Sequence, residues 1–189
     1  MERKGEINMI YVFLAEGFEE TEALVPVDML RRMGCDVKTV GIGGKEVTGS
    51  HGITVTADLE EKDVDTDFTE MVFLPGGLPG TYNLEKSPIV RAAVEAAAEC
   101  GAFVAAICAA PSVLGHWGLL KGHKATCAPG FETELEGAEH IKEPVVVSGK
   151  IITGWGAGAA LPFALQLGEL LCGKDKADEI AAKIGYARS

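Results

Sequence analysis

The sequence predicts an α/β fold, a doubly wound and mostly parallel sheet flanked by helices. Three observations lead there. First, short apolar runs such as Met9-Ile-Tyr-Val-Phe-Leu-Ala15, Met71-Val-Phe-Leu74 and Phe103-Val-Ala-Ala-Ile107 suit strands buried on both faces. Second, stretches with apolar residues at helical spacing alternate with these runs, as parallel βαβ units require. Third, a chain of 189 residues is the size of one domain and long enough to bury a core without staples.

The elements follow in order. The stretch Met1 to Asn8 is polar and is expected to be a disordered tail, with residues 9–189 forming a single domain. Met9 to Ala15 is the first strand, and Gly17 breaks it. Leu24, Val27, Met29, Leu30 and Met33 stand at helical spacing. Pro26 is best tolerated in a first turn, so that helix is expected to begin near Leu24 and to stop at Gly34. Asp36 to Ile42 reads as a strand. Two β-prone pieces between Glu46 and Asp58 flank Gly49-Ser-His-Gly52 and predict a hairpin. Met71 to Leu74 is a strand that ends in Pro75-Gly-Gly77. Pro88 to Cys100 is a helix, Phe103 to Ile107 a strand, and Ala109 to Gly115 a helix. Lys124 to Cys127 reads as a short strand. Pro144 to Val147 and Lys150 to Thr153 flank Ser148-Gly149 as a second hairpin. Ala159 to Cys172 and Lys176 to Ile184 are the last helices.

Composition narrows the function classes. The net charge of −11 argues against a nucleic-acid surface and against an anionic membrane. The five cysteines are odd in number and show no CxxC spacing, which argues against a disulfide framework and a structural zinc site. A reducing cytoplasm is the expected setting. No signal peptide and no membrane span is read in the chain. No Walker loop or G-x-G-x-x-G follows the first strand, and none of the four histidines has metal-ligand spacing. No cofactor and no metal are expected.

In doubly wound sheets ligands bind beyond the carboxyl ends of the strands. Three loops fall there: Glu16 to Glu22, Pro75 to Gly80, and Cys108 to Pro111. Cys108 is the candidate nucleophile, at a sharp strand-to-helix turn with small neighbours. Free N–H groups and a helix N-terminus beside it are expected to favour the thiolate, which is the reactive form. The other reading of Cys108 is a small buried packing residue. Gly76, Gly77 and Ala109 could offer backbone N–H groups to an oxyanion. Among Glu16, Glu19, Glu20 and Glu22, a carboxyl facing the sulfur would have its pKa raised and could shuttle a proton. The residues alone leave Glu19, Glu20 and Glu22 open. Cys127 reads as a packing residue or a second redox thiol. Cys35, Cys100 and Cys172 read as structural, and Trp155 as pocket lining or packing.

The chain resembles the ThiJ/PfpI superfamily, in its DJ-one branch of parkinsonism-associated deglycase-like proteins. The resemblance rests on Ala15-Glu-Gly-Phe-Glu-Glu-Thr-Glu22, Val25-Pro-Val-Asp-Met-Leu-Arg-Arg-Met-Gly34, Leu74-Pro-Gly-Gly77, Ala105-Ala-Ile-Cys-Ala-Ala-Pro111 and Phe163-Ala-Leu165. It implies a flavodoxin-like, class I glutamine amidotransferase-like fold and a homodimer. It also implies that the reactive cysteine is Cys108, that a protonated partner glutamate is Glu22, and that backbone donors are Gly76, Gly77 and Ala109. The implied activity is that of a glutathione-independent glyoxalase or deglycase acting on small aldehydes. An oxidative-stress redox sensor or chaperone is the rival, and an intracellular peptidase or amidase a weaker one. Ala109 stands where peptidase-type members carry a histidine. Ala128 stands where several relatives place one near the sulfur, and Ala157 where a pocket proline is common.

Overall fold

The computed structural model describes residues 9–187. The expected tail over residues 1–8 lies outside them. Eleven strands and six α-helices run in the order β1 (Met9–Leu14), α1 (Glu20–Arg32), β2 (Asp36–Gly41), β3 (Glu46–Thr48), β4 (Thr54–Thr56), β5 (Leu59–Glu60), β6 (Thr69–Leu74), α2 (Gly80–Lys86), α3 (Pro88–Cys100), β7 (Phe103–Ile107), α4 (Pro111–His116), β8 (Lys124–Ala125), β9 (Glu139–His140), β10 (Val145–Ser148), β11 (Ile151–Gly154), α5 (Ala160–Cys172) and α6 (Lys174–Lys183).

Seven strands form the central sheet, in the order β10-β11-β7-β6-β1-β2-β5. All its pairings are parallel except β10 with β11, the predicted second hairpin. The predicted first hairpin is β3 with β4, a separate antiparallel ribbon. The chain leaves β1 for β2 on one side and returns to β6 on the other. The topological switch point therefore lies between β1 and β6, where ligands bind in such sheets.

Alternating side chains cover both faces of the sheet. Tyr11, Phe13, Val72, Leu74, Val104 and Ala106 pack with Val90, Val94, Val113 and Leu114 on one face. Ile10, Val12, Leu14, Met71, Phe73, Ala105 and Ile107 pack with Val27, Leu30, Phe163 and Leu167 on the other. The continuous apolar runs in the sequence are this two-sided burial. No helix among the described residues is long and apolar enough to cross a membrane.

The short strands β5 and β9 were not expected, and four further elements differ from expectation. Helix α1 begins at Glu20, four residues before the expected start, and Pro26 lies inside it. Glu19 caps that helix through its carboxylate, which accepts the Glu22 N–H at 2.7 Å. Proline costs the helix the bond to Glu22's carbonyl, but the buried face formed by Ala23, Val27 and Leu30 outweighs the loss. Helix α2 was not predicted. Its Gly-Thr-Tyr-Asn start has poor propensity, and burial of Thr81 and Leu84 holds it. Helix α4 starts at Pro111 rather than Ala109. The stretch from Lys124 pairs as a two-residue strand with β9, outside the main sheet.

Phe163 of α5 is fully buried and packs on Phe73, with ring centroids 5.5 Å apart. It also lies behind Ile107, at the end of the strand that delivers Cys108. Phe163→Ala is expected to cost about 3 to 5 kcal/mol of unfolding free energy in urea denaturation. A loss below about 1 kcal/mol would show that α5 does not hold this end of the sheet.

Candidate active site

Cys108 follows directly on β7. It is the only non-glycine residue with positive φ among the described residues, at 65°. Such backbone is strained for a residue with a side chain and persists only where the surroundings enforce it. Here the Cys108 N–H donates to the Gly154 carbonyl at 2.8 Å, and the Cys108 carbonyl accepts the Ala128 N–H at 2.8 Å. The Ala110 N–H closes the turn on the Ile107 carbonyl at 3.1 Å. Alanines on both sides leave room for this tight path.

Glu22 comes from the first turn of α1 and is 1% exposed. Its carboxyl is hydrogen-bonded to the Cys108 sulfur. The Gly76 N–H donates to Glu22 Oε2 at 3.1 Å, and the Ala157 backbone N–H also binds this carboxyl. Gly76 lies just beyond β6, against both groups. A Cβ there would meet the Cys108 Cβ and Glu22 Oε2 at 2.5 Å each. Only glycine leaves space for the pair. The loops after β1, β6 and β7 therefore converge at the switch point. The Glu19 N–H donates to the Gly76 carbonyl at 2.9 Å, and the Gly80 N–H to the Gly17 carbonyl at 3.2 Å.

The electrostatics correct one expectation. The sequence predicts a setting that favours the thiolate, whereas burial, and then the charge of Glu22, push the Cys108 thiol up to about 12. The N–H groups of Ala109 and Gly77 on the sulfur offset only part of this. Helix α4 begins three residues past the sulfur and spans six residues, so it adds little. Burial also pushes Glu22 up to about 7, and the neighbouring charge of Glu19 adds to the rise. Glu22 and Cys108 thus form a coupled pair. A proton on Glu22 removes the repulsion on the sulfur and supplies a hydrogen bond to its anion. At near-neutral pH the pair gives up its first proton, and that loss makes a thiolate beside a neutral carboxyl accessible.

The other predicted residues take separate places. Gly77 and Ala109 point their N–H groups at the sulfur, but the Gly76 N–H is committed to Glu22. Glu19 serves α1 as its cap, its carboxylate turned to the Glu22 N–H. Cys127 is buried and lines a cavity of about 540 Å³ with Trp155, Gly156, Ala157, His140 and Lys142. That cavity adjoins the site through Gly156 and Ala157, which border the Glu22 carboxyl. Its lining by His140 and Lys142 was missed, because nothing in their spacing links them to Cys108. His116 is drawn away between Glu85 and Glu134, at 2.6 and 2.9 Å.

One group among the described residues could hold a metal ion. Ligand atoms of Glu19, Glu20 and His51 lie within 4.8 Å of one another. These groups already satisfy each other, since His51 Nδ1 is 2.9 Å from Glu20 Oε2 and the His51 N–H donates to Glu20 Oε1 at 2.8 Å. Burial pushes Glu20 up, but its hydrogen bonds with His51 outweigh that and hold the carboxyl down at about 2.

The chain is similar to known proteins over most of its length. The DJ-1/PfpI family matches residues 8–170. The chain is 37% identical over 178 residues to "Protein DJ-1 homolog B" of Arabidopsis thaliana, covering 93% of this chain and 41% of that protein. It thus spans less than half the length of that plant relative. It is 30% identical over 175 residues to "Glutathione-independent glyoxalase DJR-1.2" of Caenorhabditis elegans, covering 92% of this chain and 93% of that one. The solved structure of oxidized Toxoplasma gondii DJ-1 superposes with a TM-score of 0.92 at 35% identity, covering 96% of this chain and all of that one.

The raised Glu22 pKa sets a pH dependence. The folded carboxyl binds its proton more tightly than the unfolded one, so it costs nothing below pH 4.5 and progressively destabilises the fold as pH rises toward 7. A shift from 4.5 to about 7 corresponds to about 3 kcal/mol. Glu22→Gln is therefore expected to gain stability over the wild type at pH 8 relative to pH 4, by up to that amount, in urea denaturation. The same difference at both pH values would show that Glu22 is not held protonated.

Proposed function

This chain belongs to the DJ-1/PfpI family, and from that premise we propose that it is a cysteine-dependent, glutathione-independent glyoxalase of the deglycase type. Its substrates are small α-oxoaldehydes such as methylglyoxal, converted to lactate, or their adducts. One observation carries the reading: the buried Glu22 carboxyl lies with Cys108 against Gly76 at the switch point of the sheet, where burial pushes its pKa up.

The chemistry follows from that pair. The Cys108 thiolate adds to the aldehyde carbon, and the Glu22 proton passes to the oxygen of the resulting hemithioacetal. Gly77 and Ala109 N–H groups, already aimed at the sulfur, support the developing oxyanion. Glu22, now a carboxylate, takes the proton from the former aldehyde carbon and returns it to the neighbouring carbon, while the hemithioacetal hydroxyl proton passes to the neighbouring carbonyl oxygen, which becomes the hydroxyl. The product is a thioester, which water hydrolyses to the hydroxy acid and the thiol. One water is added in total, and no external oxidant or cofactor is needed. Ala109 and Ala128 leave no imidazole at the positions named above, so Glu22 carries the proton alone.

The reading includes a homodimer and a cytoplasmic setting, and the free state of all five cysteines fits the latter. Controlled oxidation of Cys108 is the second reading. The protonated Glu22 and the two N–H groups that face the sulfur would equally hold a sulfinate.

Purified protein given methylglyoxal without glutathione is expected to produce lactate. Cys108→Ser should abolish it, and Glu22→Gln should lower it at least about 100-fold. Equal lactate from wild type and Cys108→Ser rejects the enzyme reading. Negligible turnover by wild type, with selective sulfinate at Cys108 after mild peroxide, favours the sensor.

A further inference from the structure

Two cysteines that the reaction does not use meet at the opposite edge of the sheet. The sulfurs of Cys35 and Cys172 are 3.2 Å apart, although 137 residues separate them in the chain. Cys35 lies just before β2, and Cys172 is the last residue of α5. Both therefore sit at the amino-terminal edge of the parallel strands, whereas Cys108 sits at the carboxyl edge. We propose that Cys35 and Cys172 form a reversible intramolecular disulfide under peroxide stress, a modification site separate from Cys108.

The approach is built into the packing of α1 against α5. A Cβ at Gly168 would fall 2.1 Å from Met33 Sδ, so a bare glycine lets the two helices come together there. Gly168 is one helical turn before Cys172, and Met33 is two residues before Cys35. That contact fixes where both sulfurs emerge. Gly34 and Gly173, each next to one of the cysteines, have φ of 90° and 88°. Glycine at both junctions lets the backbone adjust while the sulfurs close to bonding distance.

Exposure assigns the roles. Cys172 is exposed and Cys35 half-buried. Burial, then the hydrogen bond with Cys172, push the Cys35 thiol up to about 12, so Cys35 keeps its proton until a partner draws it off. The Cys172 thiolate attacks one oxygen of hydrogen peroxide, the O–O bond breaks, and water leaves with a proton. Cys172 is now a sulfenic acid. The Cys35 sulfur attacks the Cys172 sulfur, loses its proton and displaces hydroxide, which departs as a second water. Two thiols lose two electrons and two protons, and one peroxide becomes two waters. Cytosolic disulfides of this transient kind are redox signals rather than permanent staples.

The test uses the full chain, reduced, then exposed to hydrogen peroxide and blocked with N-ethylmaleimide before proteolysis and mass spectrometry. The expected result is a peptide pair joined through Cys35 and Cys172, released by dithiothreitol, with Cys35→Ser and Cys172→Ser each abolishing it. Because the bond closes a long loop, oxidised Cys108→Ala protein should melt on the order of 10 °C higher than the reduced form. The Cys108→Ala background removes sulfinate formation at the active site from that comparison. Recovery of Cys35 and Cys172 as maleimide adducts, after peroxide sufficient to oxidise Cys108 fully, overturns the proposal. So does a Cys172 cross-link found only between chains on non-reducing electrophoresis.

Discussion

The Cys108 sulfur and the Glu22 carboxyl share one small space because Gly76 has no side chain. A Cβ at that position would lie 2.5 Å from an atom of each. The rest of the site is arranged around this restriction. The strained backbone at Cys108 turns the sulfur out of β7 toward Gly76. The Glu19 cap starts α1 early enough for Glu22 to stand in its first turn. The Gly76 N–H then fixes the carboxyl. Each of the three loops comes from a different βα junction, so the meeting point exists only once the parallel sheet has formed.

Much of this architecture was legible in the sequence. The buried strands showed as uninterrupted apolar runs, because a parallel sheet covered on both faces needs no alternation. The order of strands and helices gave the switch point, and with it the three loops. What escaped was set by tertiary context. Pro26 suggested a late start for α1, yet a proline inside a helix removes one hydrogen bond, and the packed face outweighed it. Helix α2 has a poor helical sequence and is held by burial of Thr81 and Leu84. Periodicity alone could not select Glu22 from its neighbours. Only the family resemblance did so, and α1 shows why the three differ: Glu19 caps, Glu20 binds His51, and Glu22 faces the sulfur. Cys35 and Cys172 gave no signal at all, since nothing in a 137-residue separation announces contact.

The electrostatic correction bears most directly on chemistry. A cysteine at a strand-to-helix turn is commonly activated by the helix N-terminus. Here α4 is short and begins late, while burial and a neighbouring acid both work against the anion. Activation must come from the coupling itself. When the carboxyl is charged it holds the thiol protonated, and when it is neutral it donates to the sulfur. In the proposed reaction it is the Glu22 proton, not the thiol's own, that is handed to the aldehyde oxygen. On that reading the sulfur becomes a nucleophile when a substrate can receive the proton, and the charged carboxyl restrains it otherwise.

That restraint also separates the two ends of the sheet. At the carboxyl edge, the Cys108 sulfur faces a carboxyl and two backbone N–H groups. The proposed function gives it electrophiles such as aldehydes as reversible partners, and oxidation there would end at acids held by hydrogen bonds. At the amino edge, the Cys35 sulfur faces another thiol and lies 3.2 Å from it. Oxidation there has a resolving partner at once and stops at the disulfide, which thiols can reverse. One chain thus holds two sulfur environments with opposite outcomes, and the difference is decided by what each sulfur touches: a carboxyl beside Gly76, or a thiol beside the Gly168 contact.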